Sequence, residues 1–127
     1  MRIVGHGIDL TSVARIREMV GRHADHFLTR VFTPAEIAYS ADSKRRFEHL
    51  AARFAAKEAA LKALGTGWRD GIAWTDVEVV NGAAGEPTLR VTGVAAGIAA
   101  RRSITSWVVS LSHTDDTAVA SVLAIGA

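Results

Sequence analysis

The sequence predicts an α+β fold, with helices packed on a largely antiparallel sheet. Strand-like stretches, alternating or rich in β-branched residues, stand at residues 1–10 and again after residue 75, while capped helical patterning fills the interval between them. The resulting order, β-α-α-α-β-β-α-β-β, includes two hairpin signals. With 127 residues, 49% of them hydrophobic and 22% charged, the chain is long enough for a real core. No repeat, low-complexity tract or linker-like break divides it, so residues 1–127 read as a single domain.

MRIVGHGIDL has strand character, and its period of two puts Ile3, Gly5, Gly7 and Asp9 on one side. Thr11 or Ser12 can then cap a helix through ARIREMVGRH. Thr33, Pro34 and Glu36 make a second helix start, with Thr as N-cap, Pro in the first turn and Glu at the reciprocal capping-box position. A long helix is expected from Ser43 to Leu64, where Gly65 takes the left-handed cap conformation. TDVEVV, TLRVTG and WVVSLSH are strand candidates, with NGAAGEP as the turn between the first two. VAAGIAARRS is a short helix, and TAVASVLAI is a last strand paired with WVVSLSH across the TDDT turn.

Composition excludes several classes. No apolar run is long enough to cross a bilayer, and the first residues lack the apolar core and cleavage site of a signal peptide. The expectation is a cytoplasmic protein with no membrane partner. Without cysteine there is no disulfide framework, iron-sulfur cluster or thiolate zinc site. A net charge of +2 suits anionic partners, but no basic run interleaved with aromatics points to nucleic acid.

RFAAKEAALKALGTG, residues 53–67, threads charges through an alanine-rich helix. At about 100° per residue, Glu58 falls within about 60° of both Phe54 and Leu61, and Lys57 within about 60° of both from the other side. Ala52, Ala55, Ala56, Ala59, Ala60 and Ala63 make a small-residue side that lets a neighbouring backbone come close. Leu50, Phe54, Leu61 and Leu64 make an apolar side, so the helix is expected to pack on both, with Glu58 at the seam. A carboxylate drawn out of water there must be paired or hold a cation. The alternatives are an i,i+4 ion pair with Lys62, worth about a few tenths of a kcal/mol, and a metal ligand.

Asp9 is a second carboxylate, on a strand whose same-side Gly5 and Gly7 would leave space beside it; capping of the next helix is its other reading. Two carboxylates with a lysine nearby suit Mg²⁺, a hard ion that borrows oxygens from substrate phosphates. His113 stands at a strand end before a turn, flanked by the hydroxyls of Ser112 and Thr114, where phosphate contact and a purely structural role are both open. His23 and His26 have no third ligand in their stretch and read as a solvated helix end, and GTG after Leu64 follows a helix, which makes it a C-cap and not a phosphate loop.

GIDL at 7–10, FTPAE at 32–36, RFAAKEAALKALGTG at 53–67, GEP at 85–87 and SLSHTDDTAVA at 110–120 follow one another in the order and spacing of bacterial holo-[acyl-carrier-protein] synthase. The chain resembles this short class of 4'-phosphopantetheinyl transferase over nearly its whole length. The most specific part is the pairing of G-I-D with R-F-A-A-K-E-A. Ala60 departs from the aromatic that the family commonly carries after K-E-A, which alters packing and not chemistry. The loop from Trp68 to Trp74 is not diagnostic.

The resemblance implies a 4'-phosphopantetheinyl transferase-like fold and transfer of the 4'-phosphopantetheine arm of coenzyme A to a serine of apo acyl carrier protein, releasing adenosine 3',5'-bisphosphate for fatty acid or polyketide biosynthesis. It implies Asp9 and Glu58 as catalytic ligands of Mg²⁺, with Lys62 meeting charge on the transferred phosphate or the leaving group. The base for the serine proton stays open between Glu58 and a water on the metal. Lys44, Arg53 and His113 are candidates for the other coenzyme A phosphates, and Gly65, Pro87 and Thr114 for the border of the nucleotide. Arg15 and Arg22 share a helix side with Met19 between them, a solvated basic surface in the bland reading and a docking face for an acidic, helical carrier in the implied one. The resemblance also implies a homotrimer with each site shared between subunits, Asp9 and Glu58 from one and the docking arginines from its neighbour. Two other readings compete. A non-catalytic coenzyme A or nucleotide-binding module of the same fold would have no need of Asp9, Glu58 and Lys62 together, and a small basic interaction protein would show no divalent-metal dependence.

Overall fold

Gly5 and Gly7 set the central contact of the molecule. The computed structural model describes residues 1–69 and 71–127. Along the chain run β1 (Arg2–Ser12), α1 (Val13–Val31), α2 (Pro34–Ala41), α3 (Arg46–Leu64), β2 (Val77–Asn81), β3 (Pro87–Val91), α4 (Gly93–Arg101), β4 (Ile104–His113) and β5 (Thr117–Gly126). Strands β1, β5 and β4 form one antiparallel sheet in that order, and β2 and β3 form a separate antiparallel pair. The fold is therefore α+β with antiparallel sheets, as expected, and the last two strands do pair across TDDT. Thr114 closes that turn, its hydroxyl accepting the N–H groups of Asp116 at 3.3 Å and Thr117 at 3.2 Å.

The register puts Gly5, Gly7 and Asp9 on the same sheet face as Ala120, Val122 and Ala124 of β5 and Val109, Leu111 and His113 of β4. Helix α3 lies on this face with its alanines buried, including Ala55, Ala56, Ala59 and Ala63. The approach is backbone to backbone. A Cβ at Gly5 would run into the Ala63 carbonyl, and one at Gly7 into the Ala59 carbonyl. The space expected beside Asp9 is thus filled by the helix itself: the glycines admit α3, not a ligand.

The opposite sheet face is largely exposed among the described residues. Ile8, Leu10 and Val108 stand there with 56%, 70% and 53% of their surface exposed, beside Val119, Leu123, His6, Ser110 and Ser121.

Ser12, not Asp9, caps α1: its hydroxyl accepts the Arg15 N–H at 3.2 Å. The helix breaks at Ala24 (φ 43°, ψ −123°), just past the expected ARIREMVGRH, and then resumes to bury Phe27, Leu28 and Val31. Residues 25–31 are therefore a second helical piece, while His23 and His26 stand exposed on either side of the break, a solvated helix end as expected. Helix α2 carries the expected capping box, with Thr33 Oγ1 accepting Glu36 N–H at 3.2 Å and Glu36 Oε1 accepting Thr33 N–H at 2.9 Å. Helix α3 begins at Arg46, three residues later than expected, because the Ser43 hydroxyl takes the Arg45 N–H at 3.0 Å and holds a turn there. Gly65 ends it in the left-handed conformation at φ 87°.

Lys57 explains half of the puzzle in α3. Fully buried, it pairs at 2.8 Å with the equally buried Glu36, donates to the Val77 carbonyl, and lies 5.7 Å from the Phe32 ring centroid. Glu36 also accepts the Val79 N–H at 2.9 Å. One ion pair thus ties α2, α3 and β2 together. Burial pushes the Lys57 ammonium down, and the Glu36 carboxylate holds it partway up.

Candidate active site

Strand β1 and helix α3 bring together Asp9, Glu58 and Lys62. The Lys62 ammonium donates to Asp9 Oδ1 at 3.1 Å and to the Ile8 carbonyl at 2.9 Å, while the Thr11 hydroxyl donates to Asp9 Oδ2 at 3.3 Å. Lys62 therefore turns toward the strand, and among the described residues Glu58 has no ion-pair partner. Burial pushes the Glu58 carboxyl above the ordinary carboxylate range; the Asp9 charge adds to that, and Lys62 and Arg15 pull it partway back. Two carboxylates in each other's field with incomplete cationic compensation, offering only hard oxygen donors, fit Mg²⁺. An ammonium has three donors, and Lys62 keeps one for a ligand.

A second group gathers on another side of α3, since Arg53 is about 140° around the helix from Glu58. Arg53, Pro87 and His113 line a cleft of about 170 Å³ with Tyr39, His49 and Asn81. Arg53 is 4% exposed; its Nη2 donates to Asn81 Oδ1 at 3.0 Å, its guanidinium lies 4.1 Å from the Tyr39 ring centroid, and its Nε has no partner. His49 and His113 stand edge to face with centroids 6.3 Å apart. Among the described residues, no hydrogen bond or ion pair links this group to Asp9, Glu58 and Lys62. Thr114 spends its hydroxyl on its own turn, and Gly65 is part of the helix cap, where Arg102 donates to the Leu64 carbonyl. Lys44 stands exposed in the turn before α3.

Of the docking residues, Arg15 is exposed and close enough to Glu58 to lower its carboxyl. Arg22 pairs with Glu18 at 2.8 Å in solvent. Met19 is half-buried over an apolar cleft of about 330 Å³ whose walls include Phe54, Trp74, Phe27, His26 and Arg30. Trp68 and Trp74 stack with centroids 6.1 Å apart, and Trp74 meets Phe54 at 5.2 Å.

Sequence reasoning missed Tyr39 and His49 in the Arg53 cleft, and the partner of Lys57. His49 gives no local signal, since its neighbours come from α2 and β4; Tyr39 lies in the last turn of α2 and reads as surface. Lys57 was visibly misplaced for a wet face, but nothing nearby in the chain names Glu36.

Three comparisons bear on this geometry. A sequence profile of the 4'-phosphopantetheinyl transferase superfamily matches residues 5–122. The holo-[acyl-carrier-protein] synthase of Solibacter usitatus is 47% identical over 121 residues, covering 95% of this chain and 97% of its own. The crystal structure of holo-[acyl-carrier-protein] synthase from Neisseria meningitidis superposes with a TM-score of 0.89 at 31% identity, covering 98% of this chain and 99% of that one. The Helicobacter pylori holo-[acyl-carrier-protein] synthase, crystallised in complex with coenzyme A, superposes with a TM-score of 0.83 at 30% identity, covering 94% and 99%.

Proposed function

The chain belongs to the holo-[acyl-carrier-protein] synthase family of the 4'-phosphopantetheinyl transferase superfamily, and from that premise we propose that it moves the 4'-phosphopantetheine group of coenzyme A onto a serine of apo acyl carrier protein. The observation that carries this reading is the Asp9, Glu58 and Lys62 constellation, held on a strand and a helix whose backbones touch. In the transfer, the serine oxygen bonds to the phosphorus that carries pantetheine, the bond from that phosphorus to the bridging oxygen breaks, and adenosine 3',5'-bisphosphate leaves with the electron pair while the serine gives up its proton. Asp9 and Glu58 would hold Mg²⁺, which when bound supplies positive charge against the pyrophosphate oxygens. Lys62 aims its remaining donor at the charge that builds on the leaving phosphate. Alignment and charge neutralisation are most of what phosphoryl transfer asks of a protein.

The Arg53 cleft is the natural receptor for the adenosine end of the donor. Its separation from Glu58 around α3 supports a composite site, with the carboxylates from one copy of the chain and Arg53, Pro87 and His113 from the next. The bare sheet face of Ile8, Leu10 and Val108 supports the assembly this needs, a homotrimer packed through that face. On the other side, the Met19 cleft offers an apolar seat with Arg30 in its wall to an acidic carrier helix, and the same helix α1 carries the exposed Arg15 and Arg22. Such a protein works in the cytoplasm, where carrier and coenzyme A meet.

The test mixes purified protein, coenzyme A, Mg²⁺ and apo carrier protein and weighs the carrier by mass spectrometry. A mass gain of one phosphopantetheine, lost in Asp9→Ala and Glu58→Ala, is the expected result; no gain with any apo carrier of the same cell overturns the reading.

A further inference from the structure

The Arg53 cleft contains a histidine that the transfer chemistry does not use. His49, half-buried on α3, stands 5.4 Å from the Tyr39 ring of α2 and 6.3 Å from the His113 ring of β4, and all three line the cleft with Arg53. Arg53 adds a buried guanidinium with one donor unmet. A cleft with a fixed cation, an unmet donor and two facing imidazoles has the makings of a receptor for a doubly charged phosphate.

We propose that His49 acts beside His113 in a proton-coupled phosphate receptor: when a phosphomonoester dianion enters beside Arg53, the His49 imidazole takes up one proton from solvent. This role rests on the reading of the cleft as the nucleotide side of the site. The electrostatics around His49 agree with it. Burial pushes its imidazole below the ordinary range; Arg53 on its own helix, His113 across from it and Arg45 in the turn before the helix push the same way, and Glu48 opposes them. Tyr39 and Asn81, the polar groups facing it from α2 and β2, bring no competing positive charge. The free ring is thus neutral at neutral pH, with a lone pair and no charge to offer. An arriving dianion reverses the balance, since its charge favours the imidazolium that Arg53 and His113 had disfavoured. A ring nitrogen then binds a proton and donates it to a phosphate oxygen, with no other bond made or broken. Linkage makes affinity fall as pH rises, by up to about tenfold per pH unit for one coupled proton.

The experiment is calorimetry of adenosine 3',5'-bisphosphate binding to the full chain at pH 7.5, in two buffers of different ionisation enthalpy, which counts the protons exchanged. The wild type is expected to take up protons. His49→Gln and His49→Phe should each at least halve that count and weaken binding several-fold at pH 6.5, with a smaller loss at pH 8.5. Histidine NMR gives a second view, in which the His49 resonance moves to its protonated position as nucleotide is added. Variants that bind with wild-type affinity and an unchanged proton count overturn the role of His49 while leaving the cleft as the nucleotide site. If Arg53→Gln and His113→Gln also bind as the wild type does, the reading of the cleft falls, and the role of His49 with it.

Discussion

At the scale of single residues, the charges of α3 that are drawn from water include two kinds, the fully buried Lys57 and the half-buried Glu58. Lys57 has a partner that it never leaves, so its worth is measured by what its loss strands. Lys57→Met leaves the Glu36 carboxylate buried and unpaired and should cost about 3–5 kcal/mol in urea unfolding. Replacing both, as Glu36→Gln with Lys57→Met, should cost less than the two single losses added together. Glu58 is the other kind, a charge kept where the fold disfavours it. Its carboxyl is raised in the folded chain, so between its ordinary value and the raised one the native state binds more protons than the unfolded state. Metal-free stability therefore falls as pH rises through that window. Glu58→Gln should remove this decline and raise the metal-free melting temperature at neutral pH, by about 3–5 °C per kcal/mol recovered, while abolishing transfer. A thermal scan of both proteins from pH 4.5 to 7.5 checks it.

At the scale of elements, the contact of β1 with α3 has no side chain to absorb a change. Gly7→Ala would press a methyl group on the Ala59 carbonyl and should cost at least about 2 kcal/mol, with loss of transfer because Asp9 shifts against Glu58. The break in α1 makes the opposite prediction from helix propensity. Ala24 holds a backbone conformation that suits glycine, so Ala24→Gly should stabilise by about 1 kcal/mol in chemical denaturation. Much of the architecture was legible because its signals are local: the Thr33 to Glu36 capping box, the Gly65 cap and the TDDT hairpin each lie within a few residues. The glycines of β1 and the alanines of α3 were legible singly, but that they meet was not, and so the gap beside Asp9 was misjudged. The late start of α3 turned on one hydroxyl, that of Ser43, choosing a turn over a helix. The grouping of Asp9 with Lys62 depends on a contact spanning 53 positions, and it was reached through the resemblance and the helix wheel together. His49 and Tyr39 escaped because their cleft is assembled from five elements, each of which looks ordinary alone.

At the scale of the whole molecule, the chain looks unfinished. Its open sheet face exposes Ile8, Leu10 and Val108, and the Asp9 and Arg53 groups lie on different sides of α3. Leu10→Asp on that face should give a monomer by sedimentation and abolish transfer without unfolding the chain, because Leu10 is 70% exposed in the single copy. If neighbouring copies complete each other, mixing unfolded Asp9→Ala with Arg53→Gln chains and refolding them together should restore activity that neither has by itself. The glycine contact reaches further still. If Asp9 and Glu58 hold one ion, as proposed, they do so from main chains already lying flush, and the width of that jaw would be a property of the scaffold. A larger cation such as Ca²⁺, which asks for longer bonds and more ligands, would fit such a jaw poorly. On that reading the choice of ion would follow from how tightly the polypeptide is folded against itself.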